Sequence, residues 1–146
     1  MNDKIIEIGR LINTQDNRCT AEPMFCVQGR MRIYGMDTQW AQDTVWIDTY
    51  DGAHEVEKPE DDQETDTIIE TGYVDVWETL MVAFTEDACK EHLELNGHNY
   101  GRYKEVRIYV ESFRRCPEMI TIRKFLSDTA TAAANDDYAT DPHGTR

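Results

Sequence analysis

Nucleophilic catalysis needs reactive side chains at a spacing that brings them together, and the sequence contains one such pair. Cys89 and His92 are three residues apart within a helical pattern, close enough for their side chains to touch. A cysteine nucleophile also needs a third group that orients its histidine, and nothing in the sequence supplies one. The usual hydrolase, zinc-protease, phosphate-loop and dinucleotide patterns do not occur either. The sequence therefore predicts a protein that is not an enzyme, with no catalytic residues.

Metal binding is also unsupported by the cysteine spacing. The chain has four cysteines, and no two of them form a C-x-x-C pair. Six residues separate Cys19 from Cys26, which is not a usual zinc-ligand spacing. We therefore expect free thiols, no metal site and no cofactor.

Negative charge is concentrated in one segment. The 146 residues carry a formal net charge of -14, and residues 48–70, with ten acidic residues and one lysine, account for -9 of it. A dense array of carboxylates can imitate the phosphates of nucleic acid and bind a basic surface on another protein, with release of counterions. The same composition is also typical of a solvated loop, and the usual calcium-loop pattern is missing. The residues predicted to bind a partner are Glu57, Glu60, Asp61, Asp62, Glu64 and Asp66.

A second candidate surface comes from the tripeptide Arg-Ile-Tyr, which occurs at residues 32–34 and 107–109. Side chains alternate along a strand, so each arginine and tyrosine points away from its isoleucine. Arginines between aromatic rings on an open sheet are typical of single-stranded nucleic-acid binding. The residues of this possible platform are Arg30, Arg32, Tyr34, Arg107 and Tyr109.

The alternative for this face is ion pairing between strands. The alternation places Asp48, Asp75, Glu105 and Glu111 on the same face as the arginines, where cross-strand pairs would form. It also places Trp46 and Trp77 there.

The hydrophobic periodicity indicates the order helix, three strands, helix, strand, helix. Thr85 is a candidate helix N-cap, Gly97 a candidate terminator, and Pro117 fits a first helical position. The predicted elements are a helix at 3–13, strands at 24–34, 44–50 and 71–85, a helix before Gly97, a strand at 105–112 and a helix at 116–126.

The predicted fold is α+β, a single mainly antiparallel sheet of about four strands with two to three helices on its apolar face. One domain is expected over residues 1–127, with an acidic inter-strand loop at 48–70. Residues 128–146 lack an apolar pattern and are predicted to form a disordered tail.

Several stretches resemble small acidic accessory proteins encoded by tailed bacteriophages and prophages. They are "RIYG", "VWID", "GYVDVWE", "AFTEDACKEHLELNGHN" and "RIYVESFRRCPEMITIRKFL", which together cover most of residues 24–126. The resemblance implies a small early product that acts inside a bacterial host by binding host machinery or defence proteins.

The expected function is therefore host takeover or counter-defence through the acidic segment, without enzymatic activity. No apolar run long enough to cross a bilayer and no signal peptide occur, so we expect the host cytoplasm and no membrane partner. The alternatives are single-stranded nucleic-acid binding by the Arg/Tyr face, which the net charge disfavours, and a structural or assembly role in the virion. The sequence does not indicate an oligomeric state.

Overall fold

The computed structural model describes residues 2–50, 52–61 and 66–139, and it confirms the α+β prediction. The elements are α1 (Asp3–Thr14), β1 (Pro23–Met36), β2 (Asp43–Asp48), β3 (His54–Val56), β4 (Ile68–Ala83), α2 (Glu86–Asn96), β5 (Glu105–Ser112) and α3 (Pro117–Ala139), with a short 3-10 helix at Gly97–Tyr100. One antiparallel sheet has the strand order β3-β2-β4-β1-β5, so it contains five strands where about four were predicted.

The additional strand, β3, lies inside the segment that we predicted to be a loop. It pairs antiparallel with β2, with Val56 opposite Trp46 and His54 opposite Asp48. Three residues are too few to show an alternating pattern, so only the pairing with β2 reveals this strand.

The register of β2 corrects the predicted position of Trp46. Glu55 lies opposite Ile47 and reaches the Arg32 side chain, so Ile47 is on the arginine face of the sheet. Neighbouring residues of a strand point to opposite faces, which places both Trp46 and Asp48 on the other face, so the predicted position of Asp48 was wrong as well. The prediction was wrong because a six-residue strand that is partly apolar on both faces does not show which face meets the arginines.

The chain divides into two compact units. Among the described residues, the first comprises 2–29, 79–101 and 106–139, and the second comprises those within 30–78 and 102–105.

The hydrophobic core of the first unit is centred on Phe25, Val27 and Cys89, all fully buried. The predicted apolar side chains of β5, Val106, Ile108 and Val110, pack against it. The α2 helix that contributes Cys89 begins where the sequence indicates, because the Thr85 hydroxyl accepts a hydrogen bond from the Ala88 N–H at 3.2 Å.

In the same unit, α1 packs closely on α3. Ile12 of α1 and Leu126 and Ala130 of α3 are buried. A Cβ at Gly9 would lie 2.0 Å from the carbonyl oxygen of Leu126. Glycine weakens the helical pattern of α1 in the sequence, and the structure shows why it stands there: the α3 backbone occupies the space of a side chain.

The C-terminal part differs from the prediction of a tail that is disordered from Asp128, because α3 continues to Ala139. Two causes are visible: alanine is the best helix former, and the Asn13 side chain donates to the Ser127 carbonyl oxygen at 3.2 Å. The alanines of this stretch are Ala130, Ala132, Ala133 and Ala134. The rest of the predicted tail, 140–146, lies outside the described residues.

No helix within the described ranges has both the length and the apolar character needed to cross a membrane.

Candidate functional site

The acidic segment, residues 48–70, begins at the end of β2, contains β3 and ends in β4. Four of the six carboxylates predicted to bind a partner are described, Glu57, Glu60, Asp61 and Asp66, and all four are exposed. Asp62 and Glu64 lie outside the described residues. These four carboxylates therefore present their charge to solvent.

Hydrogen bonds join the two ends of this segment. The N–H and hydroxyl groups of Thr49 both donate to the carbonyl oxygen of Thr67, at 2.7 and 2.8 Å. Asp48 accepts from the Tyr50 N–H at 2.9 Å, and this bond, helped by a hydrogen bond from the Thr67 side chain, lowers the pKa of Asp48. These bonds hold the two ends of the acidic segment together, next to the ionised carboxylate of Asp48.

Within the second unit, Asp75 of β4 is held by two arginines of β1. Arg32 donates from Nε and Nη2 to the two carboxylate oxygens at 2.8 and 3.0 Å, and Arg30 donates from Nη1 at 2.8 Å. The side chains of Arg32 and Asp75 are only 14% and 13% exposed, so little water screens the pair. The hydrogen bonds from Arg32 and Arg30 outweigh burial and lower the pKa of Asp75 to about 2.

Glu55 of β3 joins the same network. It accepts hydrogen bonds from Arg32 at 2.7 Å, Lys104 at 3.0 Å and the Tyr34 hydroxyl at 3.3 Å. Burial opposes its ionisation, but the bonds from Arg32 and Lys104 prevail and lower the pKa of Glu55. Burial, and then the charge of Glu55, raise the pKa of Tyr34. Glu55 therefore ties the acidic segment to the sheet.

Arg30 and Arg32 therefore form cross-strand ion pairs, which was the alternative prediction to a nucleic-acid platform. Arg30 also lies 3.3 Å from Glu105, and the Arg32 guanidinium covers the Tyr73 ring at 3.7 Å. The network has three cations and three carboxylates, so its charges balance. The cations are Arg30, Arg32 and Lys104, and the carboxylates are Glu55, Asp75 and Glu105.

The other two candidate platform residues, Arg107 and Tyr109, belong to the first unit. Arg107 donates from Nε and Nη2 to the Gln28 side-chain oxygen at 3.1 and 3.0 Å. Its guanidinium also lies 4.4 Å from the centre of the Tyr109 ring, which is a cation–π distance. Gln28 lies in the buried first half of β1, and Arg107 thus supplies charged donors for its side-chain oxygen.

The Cys89–His92 pair is not arranged for nucleophilic attack. Burial raises the pKa of the Cys89 thiol to about 11, which keeps it protonated at neutral pH. His92 shares a hydrogen bond of 2.6 Å with the Tyr100 hydroxyl, and its other ring nitrogen lies 3.3 Å from the Asn96 amide. All four cysteines are free thiols.

In the described parts of the chain, no group of three or more His, Cys, Asp or Glu side chains is arranged to hold a metal ion.

The alternation along the strands places Asp75 on the arginine face, but no pattern in the sequence indicates that Glu55 and Lys104 belong to the network. Glu55 depends on β3, which the pattern does not reveal. Lys104 precedes β5 and reaches Glu55 across 49 positions of the sequence. The sequence around Glu55 and around Lys104 contains no pattern that predicts the contact between them.

The low pKa of Asp75 leads to a prediction about acid stability. A carboxylate has a pKa of about 3.9 in the unfolded chain and about 2 here, so the stabilisation that Asp75 contributes is complete above about pH 5 and is lost as the pH falls towards 2. This difference in pKa corresponds to about 2.5 kcal/mol. Urea unfolding of the wild type and Asp75→Asn should show a stability gap that narrows from pH 5 towards pH 2. A gap that stays constant over this range would contradict the assignment.

Comparison with protein-family models, curated proteins and solved structures finds no match to this chain.

Proposed function

We propose that the protein is a non-enzymatic binding protein whose acidic segment docks on a basic surface of a partner protein, in the manner of a nucleic-acid mimic. The observation that carries this proposal is the exposed position of Glu57, Glu60, Asp61 and Asp66 in a segment of net charge -9. Its resemblance to phage accessory proteins supports a bacterial host protein as the partner and the host cytoplasm as the setting. Host takeover or counter-defence would be the outcome.

The excess negative charge of the segment supports a role in binding even when the carboxylate that stabilises the fold is left out. Glu55 is the member of the segment that binds to Arg32 and Lys104, so it acts within the fold. Eight net negative charges remain in the segment when Glu55 is set aside. Like charges so close together repel one another, and a cationic partner relieves that repulsion while counterions are released.

Single-stranded nucleic-acid binding is the runner-up, and the engaged arginines argue against it. A phosphate would have to displace Asp75 and Glu55 from Arg32, or Gln28 from Arg107, before it could bind. A role in virion assembly has no specific contact in its favour.

Capture of a partner should depend on the exposed carboxylates and on salt. We expect the fourfold variant Glu57→Gln, Glu60→Gln, Asp61→Asn, Asp66→Asn to lose the partner that the wild type captures from host lysate at low salt. Mass spectrometry of the captured proteins, with and without added salt, provides the measurement.

A matched variant separates local charge from net charge. Glu91→Gln, Glu94→Gln, Asp128→Asn and Asp136→Asn change four exposed carboxylates of α2 and α3 and raise the net charge equally. This variant should capture the partner as the wild type does. Equal capture by the wild type and the segment variant would overturn the proposal, and an oligonucleotide shift abolished by Arg32→Ala would favour the runner-up.

A further inference from the structure

Strand β5, Glu105–Ser112, forms an edge of the sheet beside β1. None of its eight residues is buried, whereas Phe25, Cys26 and Val27 of β1 are fully buried. An edge strand presents a row of backbone N–H and C=O groups that can pair with a further strand. The length of β5 makes it a candidate for such pairing.

Two contacts establish how β5 faces β1. Arg107 reaches the Gln28 side chain, and the Phe113 N–H donates to the Glu22 carbonyl oxygen at 2.8 Å. Both contacts fit one antiparallel register, with Arg107 opposite Gln28 and Phe113 opposite Glu22. Since the direction of the N–H groups alternates along a strand, every second group of β5 points to the outer edge. The outward N–H groups are those of Val106, Ile108, Val110 and Ser112.

We propose that β5 pairs antiparallel with β5 of a second copy of this chain, about a two-fold axis at Tyr109. In this register the outward N–H and C=O groups of Ile108 face those of Val110 in the other copy. Arg107 of each copy lies opposite Glu111 of the other, on the same face of the sheet, and the ion pair with that carboxylate replaces the hydrogen bonds from Arg107 to the Gln28 side chain. Because a two-fold contact repeats itself, one complementary pair in the sequence gives two ion pairs across the interface.

The charges of β5 select this register. A pairing centred on Ile108 would bring Glu105 of one copy opposite Glu111 of the other, and directly opposed like charges destabilise a sheet. A pairing centred on Val110 would place Glu111 opposite Tyr109 and leave both ion pairs unmade. Charged residues on an edge strand usually prevent pairing with other chains. Here they are complementary to a second copy of the same strand.

The remaining contacts of the pairing are apolar and aromatic. Tyr109 is 44% exposed and would meet its own counterpart at the axis. Ile108 and Val110, which already pack on the core of the first unit, would extend that apolar face across the two copies. Such a dimer carries two acidic segments, and a partner with two basic sites would bind both with greater avidity.

Charge reversal at two positions tests the register. We expect Glu111→Arg alone, or Arg107→Glu alone, to place like charges opposite each other and to give monomers. An equimolar mixture of the two variants restores both ion pairs and should form heterodimers, and the double variant R107E/E111R should form homodimers again. Sedimentation equilibrium over a range of concentrations, at an ionic strength that screens the repulsion between two acidic copies, measures all of these states.

Glu91→Arg, which changes the net charge as Glu111→Arg does but lies on the exposed surface of α2, is the control and should dimerise like the wild type. Circular dichroism checks that each single variant is folded, and the mixture tests the pairing even if both are somewhat destabilised. A wild type that stays monomeric at every concentration, or single variants that associate as strongly as the wild type, would overturn the proposal.

Discussion

Gly9→Ala is expected to lower the free energy of unfolding by about 3 kcal/mol, the upper end of the usual cost of overpacking. The added Cβ would lie 2.0 Å from the Leu126 carbonyl oxygen and 2.8 Å from the Ala130 Cβ. The first of these is backbone of α3, which cannot move aside without shifting the helix. Alanine favours a helix over glycine by about 1 kcal/mol, so an increase in stability would be the normal result at an open helical site.

The control for this substitution is Gly97→Ala. Gly97 has helical backbone angles, with φ -55° and ψ -32°, and no atom lies within 4 Å of the position of its Cβ. We expect this variant to be as stable as the wild type or slightly more stable. Urea denaturation measures both variants. A Gly9→Ala protein as stable as the wild type would contradict the close packing of α1 on α3.

Asp75→Ala is expected to destabilise the protein by about 3 kcal/mol, because it leaves two largely buried arginines without their shared carboxylate. Arg32 would lose two hydrogen bonds and Arg30 one. Breaking one member of a buried ion-pair network costs more than the net value of the pair, since the remaining charges stay desolvated.

Asp61→Ala provides the comparison, because it removes the same side chain from an exposed position of the acidic segment. We expect a change within about 0.5 kcal/mol there. Thermal or urea unfolding distinguishes the two. Similar stabilities for both variants would mean that the arginine network contributes little to the fold.

The sequence predicted those parts of the fold that local signals determine. The strand at 105–112 has the predicted bounds, and α2 begins and ends as Thr85 and Gly97 indicate. Alternation along each strand predicts an apolar face with Phe25 and Val27 in β1 and an apolar face in β5. In the structure these side chains pack together in one core.

The features that the sequence did not predict depend on contacts between distant residues. The three residues of β3 form a strand because β2 lies beside them, and the face of Trp46 follows from that register. The extension of α3 to Ala139 combines helix propensity with the contact between Asn13 and Ser127. Glycine is unfavourable within a helix, and only the position of the α3 backbone explains why residue 9 of α1 is a glycine.

The acidic segment and the arginine network also differ in how far the sequence predicts them. The exposed carboxylates follow from composition, since so many acidic residues in one segment have few basic partners nearby in sequence. The state of the arginines does not follow from composition: Arg32 shares a face with Asp75 by alternation, but its bond to Glu55 requires β3.

The most direct test of the proposed function is the salt dependence of the dissociation constant for the captured partner, measured by titration for the wild type and both fourfold charge variants. If exposed carboxylates of the acidic segment make the contact, the plot of log Kd against log salt is steep for the wild type and for the α2/α3 control. It should be markedly flatter for the variant of Glu57, Glu60, Asp61 and Asp66. Equal slopes and equal affinities for all three proteins would contradict the account.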